Sequence, residues 1–263
     1  MLFKSILLFA ITGSSLALPN GPSFGQGLQK RSEPIIRGED YTDTQKSAIT
    51  RGHNEAITLA VHALSMLSQS DPDDTRLQKY FPAGSSSRST VKLHVSAKVY
   101  EQIIGDPVDG VYKGSSKLEN IRVVDDYNLA GTGHYACSNL RALAVLREYN
   151  NRFPKMIVCP AGFRQTPLLS ISCDTLGEDV SDAMESLGAS ILHEYTHYTK
   201  LISPPLAGSS TDDQYGWYNS QAFAPYAESL QNADSYAWFA IEAYFTIKCH
   251  RNFGPWYDEC SDE

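Results

Sequence analysis

Hydrophobic positions recur at helical spacing along four stretches of the chain. From Thr44 to Ser68 the apolar residues lie mostly three or four positions apart, which predicts a long amphipathic helix. The same spacing predicts helices over Ala183–Lys200 and over about Ser235–His250. A further helix is predicted over Leu140–Tyr149.

Shorter stretches favour β-strands. Val91–Val99 alternates apolar and polar residues, which is typical of a strand with one buried face, and Ile121–Val124 is a second candidate. Lys155–Cys159 is a short β-branched run that Pro160 stops, so we expect a strand near the edge of a sheet. Strands and helices together predict one mixed α+β domain.

Composition and charge exclude some classes of protein. Of the 263 residues, 42% are hydrophobic and 20% are charged, which is typical of a globular chain and argues against extensive disorder. The formal net charge is −8 at pH 7. Nucleic-acid binding is therefore not expected, because it needs a basic surface for the phosphates.

The first residues have the layout of a secretory signal peptide. Lys4 precedes the apolar run Ile6–Ile11, and Ser15-Leu16-Ala17 supplies small residues at a cleavage site, so we expect residues 1–17 to be removed. A buried N-terminal strand or helix is the alternative. No later segment approaches the roughly 18 apolar residues of a membrane span, so no membrane anchor is expected.

A second processing site is predicted just downstream. Residues 18–31 are rich in Gly, Pro, Ser and Gln and end in Lys30-Arg31, a dibasic pair that processing proteases cut. A chance basic pair in a flexible segment is the alternative. If both cuts occur, 18–31 is a short propeptide and the secreted domain is Ser32–Glu263, with a net charge of −11. Such an acidic surface would draw basic substrates.

The five cysteines fit an oxidising compartment, and they are Cys137, Cys159, Cys173, Cys249 and Cys260. Their odd number leaves at least one without a partner inside the chain. A bond between the last two would close a short C-terminal loop, whereas no pair can be chosen among the other three.

The sharpest chemical feature is His193-Glu194-Tyr195-Thr196-His197, which matches H-E-x-x-H. On a helix the two histidines share a face and can hold one metal ion, while Glu194 can take a proton from a metal-bound water. Two ordinary histidines on an amphipathic helix are the alternative. Asp182 and Glu185 have the spacing of a helix N-cap and its partner.

A catalytic zinc usually has a third protein ligand. A metzincin would have Gly and His where Lys200 and Ser203 stand, so that class is excluded. Glu228 or Glu242 on a following helix could serve. The acids of the loop Gly208–Gly216 are a third possibility.

That loop resembles the G-T-x-x-D-x-x-Y-G motif of the aspzincins, fungal zinc endopeptidases that include deuterolysin and peptidyl-Lys metalloendopeptidase. The resemblance implies that Asp212 is the third zinc ligand and that Tyr215 helps to hold the oxyanion of the transition state. Ser209 stands where the family has Thr, and Asp213 is interpreted as a solvated neighbour. The implied fold is a zincin-like domain with the H-E-x-x-H helix under a small mixed sheet and a closing C-terminal helix.

Two further stretches are similar to that family. Val158–Phe163 resembles its Cys-Pro-x-x-Phe segment, and Asn232–Ala237 resembles the N-A-D-x-Y start of its last helix. In Lys-specific members that Asp and a Glu three residues later line the S1′ pocket, which implies substrate binding by Asp234. Ala237 replaces the Glu, so strict Lys specificity does not follow. A helix N-cap is the alternative role of Asp234.

These observations predict a secreted, monomeric zinc metalloendopeptidase with one Zn²⁺ per chain and with proteins or peptides as substrates. Glu194 would act as the base, and lysine at P1′ would be the preferred residue. A secreted zinc-binding protein without peptidase activity is the alternative.

Overall fold

The structure is a computed structural model that describes residues 32–69, 75–84, 86–125, 136–138, 142–148, 153–202, 214–222 and 226–254. The expected signal peptide and propeptide lie outside these residues. So do Asp212 and Asp213, and their predicted roles stay predictions.

Helices make up most of the described chain. The α-helices span Asp43–Gln69 (α1), Thr75–Tyr80 (α2), Arg88–Leu93 (α3), Glu101–Ile104 (α4), Leu187–Thr196 (α5), Gly216–Ala222 (α6), Tyr226–Ser229 (α7) and Ala233–Cys249 (α8). A π-helix over His94–Tyr100 joins α3 to α4. None of the helices in these ranges is long and apolar enough to cross a membrane.

The long helix α1 is confirmed almost to its predicted ends, and its start has a sequence cause. The N–H of Gln45 donates to Thr42 Oγ1 at 3.2 Å, and Gln45 Oε1 accepts the N–H of Thr42 at 2.9 Å. This reciprocal pair satisfies two backbone donors that the first turn leaves without helical partners.

The strand predicted over Val91–Val99 is wrong, because α3 and the π-helix occupy it. Val91, Val95 and Val99 are fully buried, whereas Leu93 is 63% exposed. The buried residues therefore recur every four positions, which is the period of a helix rather than that of a strand. The apparent alternation came from Leu93, whose side chain points to solvent.

A four-stranded mixed sheet packs on α5 through its strand Ala144–Arg147. Its strands are Ile35–Ile36 (β1), Arg122–Val123 (β2), Ala144–Arg147 (β3) and Lys155–Val158 (β4), in the order β1-β2-β4-β3. The first three in that order are parallel, and β3 runs antiparallel to β4 at the edge.

Two sequence predictions about this sheet are wrong. The stretch 140–149 contains β3 rather than a helix, and its Ala144 and Leu146 point into the core while Arg147 is exposed. The strand at Lys155–Val158 is confirmed, but it lies between β2 and β3 and not at an edge. Pro160 follows the strand without interrupting its hydrogen bonds, so it places no restriction on pairing.

The main hydrophobic core lies where α1, α5 and α8 pack on one another and β3 packs on α5. Aromatic side chains from α8 fill much of it, with Tyr236, Phe239 and Phe245 almost fully buried. The described elements thus form a single α+β domain with a small mixed sheet and a closing C-terminal helix, as the sequence predicted.

Two disulfides join irregular segments to this core. Cys137 bonds Cys159 just after β4, and Cys173 bonds Cys249 at the end of α8. The suggested pairing of Cys249 with Cys260 is therefore wrong. The fold brings Cys173 next to the last turn of α8, where Cys249 lies.

Candidate metal centre

The helix that carries H-E-x-x-H begins later than the sequence predicted. Its N-cap is Ser186, whose Oγ accepts the N–H of Ala189 at 3.3 Å. Asp182 to Met184 form a separate 3-10 turn, so the capping pair predicted for Asp182 and Glu185 is wrong. Ser186 can cap α5 because its backbone is extended, as an N-cap requires. The 3-10 turn that contains Asp182 has already ended at Glu185, before α5 begins.

A buried carboxylate on α1 fixes the first turn of α5. Glu55 accepts the N–H of Gly188 at 3.2 Å and the N–H of Leu168 at 2.9 Å. Burial raises the pKa of Glu55, and these two N–H groups oppose that rise. Gly188 is required because a Cβ there would overlap Glu55 Cβ and lie 3.1 Å from the backbone nitrogen of Ala56. The helix that carries the site is therefore packed backbone to backbone against α1.

The two histidines of the motif face each other at the end of α5. His193 Nε2 lies 3.1 Å from His197 Nε2, and the two rings are nearly perpendicular at 69°. Two nitrogens bound tetrahedrally to one zinc at about 2.05 Å would be about 3.3 Å apart. The spacing therefore fits one shared metal ion, and His193, Glu194 and His197 form a group that could hold one.

The carboxylate of Glu194 is held beside this pair by the sheet. Its Oε2 accepts the backbone N–H of Leu146 on β3 at 2.5 Å, and its Oε1 lies 3.9 Å from His193 Nε2. Glu194 is buried, with 7% of its surface exposed. An N–H donor at one oxygen stabilises the ionised form, so the other oxygen can accept a proton next to the metal position.

Asp234 connects three parts of the site. Its Oδ1 lies 2.5 Å from His193 Nδ1, and its Oδ2 accepts the N–H of Gly216 at 2.6 Å. Because a carboxylate only accepts, the His193 proton is placed on Nδ1 and the lone pair of Nε2 faces the metal position. The N-cap alternative for Asp234 is wrong, since Asn232 holds the cap position of α8.

Asn232 and Asp234 together clamp the start of α6. Asn232 Oδ1 accepts the N–H of Gln214 at 3.3 Å, two residues before the N–H that Asp234 accepts. Gly216, whose N–H Asp234 accepts, has a φ of +82°, which favours glycine. The two acceptors and this glycine fix the backbone at the end of the loop Gly208–Gly216, which carries Asp212.

Tyr215 lies at the mouth of the site. Its ring is nearly parallel to that of His193, at 17° and with centroids 6.1 Å apart, and 59% of its surface is exposed. Its carbonyl accepts the side-chain N–H of Asn219 at 2.9 Å. The phenol can therefore meet a ligand that approaches the metal position from solvent.

The pKa of a second acid, Glu185, depends on the charges of the site. Burial raises the pKa of Glu185 to about 7, the negative charges of Asp182 and Asp234 add to the rise, and His193 opposes it. A proton can therefore bind or leave Glu185 near neutral pH.

The structure separates the candidate residues clearly. His193, Glu194, His197, Tyr215 and Asp234 come together. Glu242 instead accepts hydrogen bonds from Lys79 and from Tyr80. It lies about 12 Å along α8 from Asp234 and is not placed to bind the metal. Glu228 is exposed and outside the group that could hold a metal.

Three contributors to the site were not predicted from sequence. The Leu146 N–H was missed because a helix was predicted over Leu140–Tyr149, and within a helix that N–H would bond inside the chain segment. The clamp by Asn232 and the contact of Asp234 with His193 were missed because the N-A-D stretch was interpreted through substrate specificity. A histidine ligand needs a partner for its second nitrogen, so an Asp near a following helix start was a usable signal.

No protein-family model matches the chain. It is similar to the probable neutral protease 2 homolog of Arthroderma benhamiae, with 24% identity over 221 residues. The match covers 83% of this chain and 51% of that protein, so the chain spans about half the length of this curated relative.

Proposed function

We propose that the chain is a zinc-dependent metalloendopeptidase of the aspzincin type. The observation that carries this is the pair of imidazole nitrogens facing each other at 3.1 Å with the Glu194 carboxylate beside them. The similarity to a probable neutral protease 2 homolog supports a protease. The aspzincin assignment rests on the resemblance of the Gly208–Gly216 loop.

The donor set suits zinc. His193 and His197 would supply two nitrogens, and Asp212 is proposed as the third ligand from the loop that the Asn232 and Asp234 clamp fixes at its far end. When bound, zinc supplies a Lewis acid that polarises a carbonyl and brings the pKa of a water towards neutrality. Two neutral imidazoles and one carboxylate leave a net positive charge for that purpose.

Glu194 is proposed as the general base and then the general acid. Its Oε1 takes a proton from the attacking water as the new C–O bond forms at the scissile carbonyl. The same proton then passes to the amide nitrogen as the C–N bond breaks, so that Glu194 returns to its ionised state. The Leu146 N–H holds the carboxylate in place during both transfers, because it donates to the other oxygen.

Tyr215 is proposed to donate its phenol O–H to the oxyanion that develops on the carbonyl. Its exposed ring at the mouth of the site is consistent with contact to a substrate rather than to the core. An O–H donor stabilises the transition state more than the ground state, since negative charge appears on that oxygen only during the reaction.

Proteins or peptides are the proposed substrates, and a monomer secreted after removal of residues 1–31 is the proposed form. A preference for lysine at P1′ stays a prediction that depends on Asp234 alone, because Ala237 is buried and brings no charge. Both Asp234 oxygens already accept N–H donors, which leaves only their remaining lone pairs for a substrate ammonium.

The zinc assignment is tested by metal content and hydrolysis measured on the same preparations. The mature chain should bind one zinc, digest casein, lose activity to a chelator and regain it with zinc. We expect His193→Ala and Asp212→Ala to lose the metal, whereas Glu228→Ala and Glu242→Gln keep it. One bound zinc with no hydrolysis in the unmutated chain would favour a zinc-binding protein, and metal retained by Asp212→Ala would refute Asp212 as a ligand.

A further inference from the structure

Helix α6 is held at both of its ends, and Tyr215 directly precedes it. At the first end the N–H of Gly216 donates to Asp234 Oδ2 at 2.6 Å. At the other end Gln221 Nε2 donates to the hydroxyl oxygen of Tyr80 at 3.0 Å. Because Tyr215 is continuous with α6, whatever fixes the helix also fixes the backbone from which the phenol projects.

Tyr80, which accepts from Gln221, is itself hydrogen-bonded to a buried ion pair. Lys79 Nζ donates to both carboxylate oxygens of Glu242 at 2.9 Å, and these two side chains are only 8% and 1% exposed. The hydroxyl of Tyr80, which is fully buried, donates to Glu242 Oε2 at 2.7 Å. Charge is therefore neutralised inside the core, and each carboxylate oxygen has a donor.

The direction of these hydrogen bonds follows from the chemistry of the groups. A carboxylate paired with an ammonium group only accepts, so Tyr80 must use its single proton on Glu242. The lone pairs of the Tyr80 oxygen are then left to accept, and the amide N–H of Gln221 is the donor that meets them. The ion pair thus sets the orientation of Tyr80, and Tyr80 sets that of the last turn of α6.

We infer that Tyr80 is a positioning residue for the proposed reaction: the Lys79–Glu242–Tyr80 relay anchors the end of α6 and so holds Tyr215 over His193. This inference rests on the proposed function, in which Tyr215 donates to the oxyanion. The ring of Tyr215 is more than half exposed and its residue directly precedes α6, so a movement of α6 also moves the phenol. A small rotation of α6 would turn the phenol away from its place beside His193.

The variant that isolates the relay is Tyr80→Phe. The ring still packs on Phe239, whose centroid lies 6.0 Å away, and only the hydroxyl is lost. We expect kcat to fall about fivefold, the worth of one hydrogen bond, with KM changed less than twofold and one zinc still bound.

Tyr100→Phe is the matched control. Tyr100 is also fully buried, and its hydroxyl donates to the carbonyl of Tyr236 at 2.7 Å rather than to α6. Each variant loses one hydrogen bond that a buried phenol donates, and Tyr80→Phe also loses the bond accepted from Gln221, so kcat is compared under conditions in which both variants are fully folded. The control should keep the kcat of the unmutated chain, and an equal fall of kcat in both variants would overturn the inference.

A second background separates positioning from general loosening of the core. In the Tyr215→Phe variant the phenol that the relay positions is already gone, so adding Tyr80→Phe should lower kcat little further. The same fivefold fall in both backgrounds would show that Tyr80 does not act through Tyr215, and would overturn the inference.

One readout does not depend on hydrolysis. Amide hydrogen exchange over Trp217–Gln221 should be several-fold faster in Tyr80→Phe than in Tyr100→Phe, because only the former releases α6. If the unmutated chain shows no Glu194-dependent hydrolysis, the proposed function fails, while faster exchange still supports anchoring of α6 by the relay. Equal exchange in the two variants would overturn the anchoring itself.

Discussion

Replacement of Asp234 by Asn separates two roles that this residue could have. The carboxylate accepts from His193 Nδ1 at one oxygen and from the Gly216 N–H at the other. An amide keeps one acceptor and turns the other into an N–H donor. In the variant, either His193 or the backbone of Gly216 therefore faces a donor in place of an acceptor.

The size of the effect follows from that loss. A hydrogen bond to a charged group contributes roughly 1.5–3 kcal/mol, and Asp234 is only 9% exposed, so water replaces it poorly. Every 1.4 kcal/mol corresponds to a factor of ten, so we expect zinc affinity to fall about 10-fold to 100-fold. This is the range found when the hydrogen-bond partner of a metal-binding histidine is removed.

The assay is competition for zinc between the metal-free chain and a chromophoric chelator at fixed pH and salt, with circular dichroism to confirm folding. Asp182→Asn is the control, because it removes the same charge from an exposed residue that also acts on Glu185. It should leave zinc affinity unchanged. If Asp234→Asn bound zinc as tightly as the unmutated chain but lost a preference for lysine at P1′, the positioning role of Asp234 would be wrong and the substrate-binding role would stand.

Three further predictions concern stability. Gly188→Ala should lower the free energy of unfolding by about 2–4 kcal/mol in urea titrations, since its Cβ would overlap Glu55, whereas Gly177→Ala, which meets nothing within 4 Å, should change it by less than about 0.5 kcal/mol. The folded-state pKa of Glu185 is raised to about 7, so the free energy of unfolding of the metal-free chain should fall by up to about 3 kcal/mol as pH rises from about 4.5 through 7. Glu185→Gln should flatten that fall. An unchanged slope in the variant would show that Glu185 does not cause it. Loss of the Cys173–Cys249 disulfide, which closes 76 residues, should cost about 4.5 kcal/mol against about 3.4 kcal/mol for Cys137–Cys159, which closes 22, and thermal unfolding of the two paired Cys→Ser variants should show that order.

The parts of the fold that the sequence predicted are those with a long, unambiguous period. Helix α1 repeats its apolar positions over 27 residues and has a capping pair, so both its type and its start could be predicted. The stretch 91–99 offered only three valines, and an exposed Leu93 between them imitated a strand. Over so few residues one exposed side chain decides the apparent period.

The site divides in the same way. His193, Glu194 and His197 are local, so a five-residue pattern was enough to bring them together. The partners that orient them come from β3 and α8, distant in sequence, and the Leu146 N–H belongs to the backbone, which no residue type marks. Such contacts depend on how the sheet and α8 pack on α5, and spacing along the chain carries no information about that packing.

Proton transfer by Glu194 beside a metal held by His193 and His197 is the central step of the proposed reaction. Its most direct test is kcat/KM for peptide hydrolysis by the zinc-loaded chain and by zinc-loaded Glu194→Gln, which keeps the acceptor of the Leu146 N–H but cannot take a proton. We predict one zinc in each protein and at least a hundredfold lower kcat/KM in the variant. Equal kcat/KM in the two proteins would contradict proton transfer by Glu194.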